Sequence, residues 1–574
     1  MKEAMKLYEE WLAYPNLSED LKQELEAIRE NKEEIEERFF TSMEFGTGGI
    51  RGIIRAGTNG MNIYTVRQAT QGLSNLIVKN GDAAMKQGVC IGYDSRHFSD
   101  VFAKEAASVL AANGIKVYIF PSLRPTPMLS FAIREMKATA GIVITASHNP
   151  AKYNGYKAYW SDGGQLPPEE ADVVYQEMKQ VDLFYGVKTM PFEEGLSSGI
   201  IEWMSASVDE AYYKAVMNLS VNPDAFTDTD LKVVYTPFHG SGNIPVREVL
   251  GRMGLKNLTV VKEQELPDGA FPTVKSPNPE ESEGFTLALG YAKKEDADII
   301  IGTDPDSDRV GILLKNSNGE YEILNGNQIG VLIVNYILEG LKKRNQLPEN
   351  GAVIKTIVTT NMIYEFQKDY PISVINVYTG FKFIGEQIKL FEETGKHTYL
   401  FGFEESYGFL SGTHARDKDA VNACMLLCEA AAFYKKMGKT LKDVQTELYE
   451  RYGYYREGLV SITHEGMAGI EKIKSLMAGL RENIPTEFAG VKTVLANDYS
   501  VAQTKNMLTG EVSALAFTPS NVLSYELEDG TLLSFRPSGT EPKIKAYIMT
   551  KGKTEAEALQ KKEAFDKAIR ELLK

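Results

Sequence analysis

The chain is poor in what cross-links, metal clusters and membranes require. Among its 574 residues there are three cysteines, Cys90, Cys424 and Cys428. So sparse and odd a set excludes a disulfide framework and points to reduced thiols. Cys424 and Cys428 lie four apart in the apolar run ACMLLCEAAAFY; two ligands do not make a zinc site, and both read as core residues. The six histidines, His97, His148, His239, His397, His414 and His464, are scattered, and no H-E-x-x-H pair occurs. No stretch is long and apolar enough to span a bilayer, and the N-terminus lacks an apolar signal-peptide core. A cytoplasmic setting without a membrane partner is expected. Excess positive charge is missing too. With 63 basic and 78 acidic residues the formal net charge is −15, which argues against a general nucleic-acid binder but leaves room for a local basic pocket.

What is present is α/β patterning in a chain too long for one core. The first forty residues read as two charged amphipathic helices broken at Pro15, packed as a layer on the first domain. Three strand–helix–strand segments follow: GVCIGYDSR to IKVYIF, LKVVYTPFHGSG to LTVV, and AVIKTIVTT to ISVINVY. Each is followed, after a further helix, by a strand ending in a polar loop: GIVITASHNP, DIIIGTDPDSDR and TYLFGFEESYG. Open α/β sheets place ligands at such carboxyl ends of strands. The last stretch alternates apolar and polar residues around an Asp529-Gly530 turn and reads as antiparallel strands. The expected organisation is a helical extension over 1–40, α/β domains over 41–205, 206–322 and 323–454, and an α+β domain over 455–574.

Four loops carry chemistry. In TASHNP, Ser147 is flanked by His148 and Asn149; taken alone it is an ordinary turn serine, since a hydroxyl is a poor nucleophile without assistance. DPDSDR sets Asp304, Asp306 and Asp308 at alternate positions, hard oxygen ligands suited to Mg²⁺. A calcium EF-hand loop fails here, because Arg309 and Lys315 stand where Gly and Glu are required. GFEESYG presents Glu404, Glu405 and Ser406, groups that suit sugar hydroxyls. RPSGTEPK joins Arg536, Ser538, Gly539, Thr540 and Lys543, the makings of a phosphate cradle. FGTGGIRG, with Arg51, matches neither a dinucleotide fingerprint nor a P-loop, and no strand clearly precedes it.

The serine, aspartate, Glu/Ser and SGTEP loops, together and in this order, resemble the α-D-phosphohexomutase superfamily over essentially the whole chain. The resemblance implies an α/β fold of four domains around a central cleft: three similar α/β domains with mixed sheets and a C-terminal α+β domain. It further implies that Ser147 is a phosphoserine and that Asp304, Asp306 and Asp308, with a phosphoserine oxygen of Ser147, bind Mg²⁺. Glu404 and Ser406, helped by Gly380 in YTGFKF, would hold sugar hydroxyls. Arg536, Ser538, Gly539, Thr540 and Lys543 would hold the non-reacting phosphate. Arg51, His148 and Arg309 match cleft positions near the reacting phosphate, and Lys418 in HARDKDA matches another basic one. Lys157 in YNGYKAY matches a lysine proposed to assist proton transfer. Two departures stand out: Pro305 and Ser307 where many relatives have glycine, and Phe403 and Tyr407 in the sugar loop.

The chain looks like the bacterial members of this length that act on glucose phosphates. The activity implied is reversible conversion of α-D-glucose 1-phosphate and D-glucose 6-phosphate, with glucose 1,6-bisphosphate as activating intermediate. A mutase for mannose or pentose phosphates is the nearby alternative, and a metal-dependent sugar phosphatase the distant one. A small-molecule sugar phosphate is the expected partner.

Overall fold

Short Val-, Ile- and Ala-rich runs bounded by Gly and Asp form the strands of the computed structural model, which describes residues 1–46, 48–316, 318–464, 466–538 and 543–574. The chain divides into two compact units. One is Met1–Gly351 with Gly380–Leu441, and the other is Ala352–Thr379 with Lys442–Lys574. No helix among the described residues is long and apolar enough to cross a membrane.

In the first unit, β1 (Gly49–Ile53), β2 (Val89–Tyr93), β3 (Val117–Ile119), β4 (Ala140–Ile144), β5 (Tyr153–Trp160) and β6 (Ile201–Trp203) make a mixed sheet in the order β1-β5-β4-β2-β3-β6. β4, β2, β3 and β6 run parallel, while β5 returns antiparallel between β4 and β1. Every residue of β4 is buried, because helices cover both faces of the sheet. Ala140, Ile142 and Ile144 share a core with Phe102 and Ala106 of the helix Ser99–Ala112. Gly141 faces the other way, against Ile133 and Leu129 of the helix Thr126–Glu135.

A second mixed sheet repeats the scheme with β7 (Lys232–Thr236), β8 (Asn257–Val260), β9 (Ile299–Thr303), β10 (Val310–Lys315) and β11 (Tyr321–Ile323). Here β7 lies parallel to β8 and β9, and β10 returns antiparallel beside β9. β12 (Gly351–Thr356) and β13 (Ile372–Val377) are neighbours joined through a 3₁₀ helix, Asn361–Lys368, where an α-helix-like segment is expected from the sequence. β14 (Thr398–Glu404) and β15 (Gly408–Ser411) form an antiparallel hairpin in the first unit. The three polar loops therefore occupy equivalent places, each between a buried strand and its antiparallel return.

The second unit carries an antiparallel sheet that includes β16 (Tyr454–Thr463), Val491–Asp498, Leu523–Leu527, Leu532–Pro537 and Lys543–Gly552. Val460, Leu533, Phe535 and Ile548 of these strands pack with Met477 and Phe565 of its helices Gly466–Glu482 and Glu555–Leu572.

The N-terminal layer has three helices where two are expected: α1 (Lys2–Ala13), α2 (Glu19–Ala27) and α3 (Lys32–Phe39). The additional break comes at Asn31, whose side chain accepts the Glu34 N–H and so caps α3. Trp11 of α1 is buried edge-on against Tyr64 and Phe184, at centroid distances of 5.6 and 5.3 Å, and anchors the layer to the first α/β domain.

Candidate active site

The serine loop leaves β4 and turns sharply. Ser147 adopts φ +51°, a left-handed conformation that a non-glycine residue holds only when its surroundings impose it. Its N–H donates to Thr145 Oγ1 at 2.8 Å. Its Oγ donates to Asp304 Oδ2 at 2.8 Å and lies 3.2 Å from His148 Nδ1. Burial, reinforced by the charges of Arg309 and Arg51, pushes the His148 imidazole down to about 2, so it stays neutral.

The aspartate loop between β9 and β10 folds around its own first carboxylate. Asp304 Oδ1 accepts the N–H groups of Asp308 and Arg309 at 3.1 and 2.9 Å. Asp306 Oδ2 accepts Lys157 Nζ and Thr126 Oγ1, both at 2.9 Å. Asp308 Oδ2 lies 3.0 Å from Lys418 Nζ and 3.4 Å from Lys157 Nζ. Ser307 takes φ +50°, a conformation that glycine adopts without steric cost. Pro305 is held through its carbonyl, which accepts Ser241 N–H and Ser241 Oγ, each at 2.8 Å.

This cluster fits a hard divalent cation. The three carboxylates offer oxygens within 4.8 Å of one another. Asp306 Oδ1 and Asp308 Oδ1 are buried without a hydrogen-bond partner, as metal-directed oxygens would be. Burial, with Asp306 and Asp308 adding repulsion, raises the Asp304 carboxyl well above its usual range, a penalty that a bound cation relieves. Asp308 is instead held low: burial opposes its charge, but Lys418, Lys157 and Arg309 outweigh it.

The two lysines come from different elements. Lys157 stands on β5 opposite Val143. Burial works against its charge, yet Asp306 and Asp308 keep it protonated above the usual lysine range. Lys418 precedes the helix Ala420–Lys436 and also bonds Asp417 Oδ1 at 2.9 Å. A Cβ at Gly408 would meet the Lys418 side chain at 2.2 Å, so glycine there opens the lysine's path. Asp417 Oδ2 accepts Tyr159 Oη at 2.7 Å and Gln165 Nε2 at 3.1 Å. Arg309 reaches Glu280 with Nη1 and presents a buried, unpartnered Nε. Arg51 lies on β1 opposite Gly155, its side chain exposed within the field of Asp306 and Asp308. FGTGGIRG thus runs into a strand that its glycines conceal.

The sugar-loop residues adjoin this group. Glu404 ends β14, is 5% exposed, and accepts the Gly380 N–H at 2.7 Å. Gly380, at φ +122°, turns the chain into the helix Phe381–Thr394. Ser406 is half-buried in the turn to β15, and Tyr407 takes φ +65°. Phe403 is no part of the ligand surface: it is buried in β14 against Gly330. In the second unit, Arg536 pairs with Lys545 across the last hairpin, and Ser538 N–H donates to Lys543 O at 2.7 Å. Gly539 and Thr540 lie outside the described residues.

Sequence reading missed Asp94, Arg96, Thr126 and Asp417. Asp94 accepts Thr145 Oγ1 at 2.6 Å and Ser99 Oγ at 2.7 Å. The signal was the polar end of GYDSR, since the ends of adjacent parallel strands share one edge of a sheet.

Models of the phosphoglucomutase/phosphomannomutase alpha/beta/alpha domains I, II and III match residues 42–184, 210–319 and 325–452. A protein of Staphylococcus saprophyticus named phosphoglucomutase is 36% identical over 538 residues, which cover 94% of this chain and 95% of that one. Another of that name from Staphylococcus aureus is 36% identical over 524 residues, 91% and 92% of the two chains. Among solved structures, a putative phosphomannomutase from Thermus thermophilus aligns with TM-score 0.69 at 21% identity, over 93% of this chain and 99% of its own. The open form of Paramecium parafusin aligns with TM-score 0.68 at 18% identity, over 93% and 96%. At those identities the structures establish the shared fold.

Proposed function

The chain belongs to the phosphoglucomutase/phosphomannomutase family, and from that premise we propose that it interconverts α-D-glucose 1-phosphate and D-glucose 6-phosphate by way of phosphorylated Ser147. The observation that carries this is the Ser147 hydroxyl 2.8 Å from Asp304, at the rim of three clustered carboxylates and beside Lys157, Lys418 and Arg309. That is an inventory for phosphoryl transfer, which rests on positioning and electrostatics.

In the proposed forward step a bond forms from phosphorus to the free sugar hydroxyl oxygen as the P–O bond to Ser147 Oγ breaks, and the departing Oγ takes up a proton to become the free serine hydroxyl. Glucose 1,6-bisphosphate results. It turns over, and its other phosphoryl group returns to Ser147 Oγ. The hydroxyl's proton passes to a basic group, for which Lys157 is the candidate; paired with Asp306 and Asp308 it is cationic and must release a proton before it can accept one. Asp304, Asp306 and Asp308, with a phosphoserine oxygen, would hold Mg²⁺, which supplies Lewis-acid stabilisation of phosphate charge. Arg51, His148, Arg309 and Lys418 would surround the reacting phosphate. Glu404, Ser406 and Gly380 would orient the sugar. Arg536, Ser538, Gly539, Thr540 and Lys543 would hold the non-reacting phosphate.

A panel of hexose and pentose 1-phosphates, assayed with Mg²⁺ and trace bisphosphate, tests the reading. We expect kcat/KM for glucose 1-phosphate to exceed that for the mannose and ribose phosphates by about tenfold or more. Equal or reversed preference would reject glucose phosphate as main substrate. Release of inorganic phosphate at the rate of substrate loss would make the chain a phosphatase.

A further inference from the structure

One buried guanidinium is bound entirely to the serine loop and its supports. Arg96 is 3% exposed and lies just beyond β2, the strand that runs parallel to β4. Its Nη1 donates to Pro150 O at 3.0 Å and Tyr153 O at 3.1 Å. Its Nη2 donates to Ser147 O and Asn149 O. Its Nε lies 3.3 Å from Asp94 Oδ2. Four backbone carbonyls thus converge on the two terminal nitrogens of one side chain, while Nε is held beside Asp94 by charge without a hydrogen bond.

The same loop is fastened a second time by the same carboxylate. Asp94 Oδ2 accepts Thr145 Oγ1, and Thr145 Oγ1 in turn accepts the Ser147 N–H. Asp94 Oδ1 accepts the Arg96 N–H at 2.9 Å. Ser147 is therefore gripped at its N–H through Thr145 and at its carbonyl by Arg96. Those two grips flank the residue whose φ of +51° aims Oγ at Asp304.

We propose that Arg96, seated on Asp94, is the positioning residue of the phosphoryl carrier, setting the Ser147 backbone so that Oγ meets Asp304. The inference rests on the reading of Ser147 as that carrier. With its terminal donors turned to carbonyls and Nε buried beside Asp94, Arg96 offers none to a phosphate. It acts on the geometry of transfer and leaves sugar-phosphate affinity alone. A lysine cannot replace it, since a single ammonium cannot span four carbonyls and a carboxylate.

A neighbouring loop backs this clamp. Phe271 is buried with its ring centroid 5.0 Å from the Arg96 guanidinium carbon. Ser276 Oγ donates to His148 O at 3.0 Å, and Glu280 of the same loop pairs with Arg309. The loop closes over Arg96 and shields its hydrogen bonds from water.

The test compares wild type with Arg96→Lys in the full-length chain. Misplacing a reacting group by about an ångström lowers turnover on the order of a hundredfold; we expect that fall in kcat, with KM for glucose 1-phosphate unchanged within about twofold. Single-turnover phosphorylation of Ser147 by glucose 1,6-bisphosphate should slow in proportion and still reach the wild-type end point. Free guanidinium should restore part of the activity of Arg96→Ala. Unchanged kcat in Arg96→Lys would overturn the proposal, and so would a rise in KM matching the fall in kcat/KM. Hydrogen exchange reads the clamp apart from the chemistry: the peptide spanning 145–153 should exchange faster in Arg96→Lys, while the aspartate loop keeps its protection. Unchanged exchange in the 145–153 peptide overturns the clamp whatever Ser147 carries. Wild-type enzyme that never phosphorylates Ser147, with exchange altered as expected, would instead reject the carrier reading. Should Arg96→Lys fail to fold, Phe271→Leu, which loosens the cover alone, should lower kcat by a few-fold with KM unchanged.

Discussion

The serine loop and the aspartate loop occupy the same place in two similar sheets, yet they are held by opposite means. Each follows a buried strand, precedes an antiparallel return, and contains a serine in left-handed backbone, Ser147 at φ +51° and Ser307 at φ +50°. The aspartate loop is gathered from within: Asp304 accepts two N–H groups of its own turn. From outside it takes two neutral supports, Ser241 on Pro305 and Thr126 on Asp306, and above all charge, the ammonium groups of Lys157 and Lys418. The serine loop has no carboxylate of its own; beyond the Thr145–Ser147 bond it is gathered mainly from outside, by Arg96 and Asp94. A loop that carries concentrated negative charge can organise its own backbone and needs neutralising. A loop that carries only neutral side chains needs a scaffold.

The contrast breaks most severely at the hydroxyl itself. Ser147→Ala should lower turnover by at least about ten-thousandfold, since it removes the proposed carrier hydroxyl; retained activity in a coupled assay would refute the assignment. Next in size is Asp306→Asn. It removes a metal-directed charge and should reduce Mg²⁺-dependent turnover by about a hundredfold or more, seen as a rightward shift in Mg²⁺ titration. Unchanged metal dependence would remove the aspartate loop from the metal site.

Lys418→Met tests the neutralising half of the comparison. It strips Asp308 and Asp417 of a shared partner, and breaking a buried pair destabilises by about 3–5 kcal/mol. Thermal unfolding should report a large drop in Tm, lessened by millimolar Mg²⁺ if the cation takes over part of the screening. Thr126→Val probes the outer contact on Asp306 Oδ2; removal of such a support weakens metal affinity by about ten- to a hundredfold, read by the same titration. Smallest of all should be Ser307→Gly. Relief of left-handed backbone is worth about 1 kcal/mol, so Tm should hold or rise slightly and activity stay within about twofold. Because the aspartate loop organises itself, its positive-φ serine is dispensable as a serine, whereas Ser147 is not.

These contrasts also mark what was legible beforehand. The strands that end in the three loops were, because a β-branched run closed by Gly, Asp or Asn-Pro reads as a buried strand with a polar end. The family loops were, because each is a contiguous string. The 3₁₀ helix Asn361–Lys368 was not, since a pattern of apolar spacing does not separate 3₁₀ from α over so few residues. Strand β1 was hidden in GIRGI by two glycines that disfavour strands. The break at Asn31 shows as a cap only once the helix it starts is placed. Arg96, Asp94, Thr126 and Asp417 were missed for a different reason. Their partners lie on other strands and loops, Ser147 some fifty residues from Arg96 and Asp306 180 residues from Thr126. Only the strand order brings those partners together.

The central claim is that Ser147 is a phosphoryl carrier. Intact-mass and phosphopeptide analysis of the full-length chain after incubation with glucose 1,6-bisphosphate and Mg²⁺ addresses it most directly. The account predicts one added phosphoryl group per chain, located on Ser147, discharged by glucose 1-phosphate or glucose 6-phosphate and absent from Ser147→Ala. A phosphoryl group found on another residue, or none while the sugar phosphates still interconvert, would contradict it.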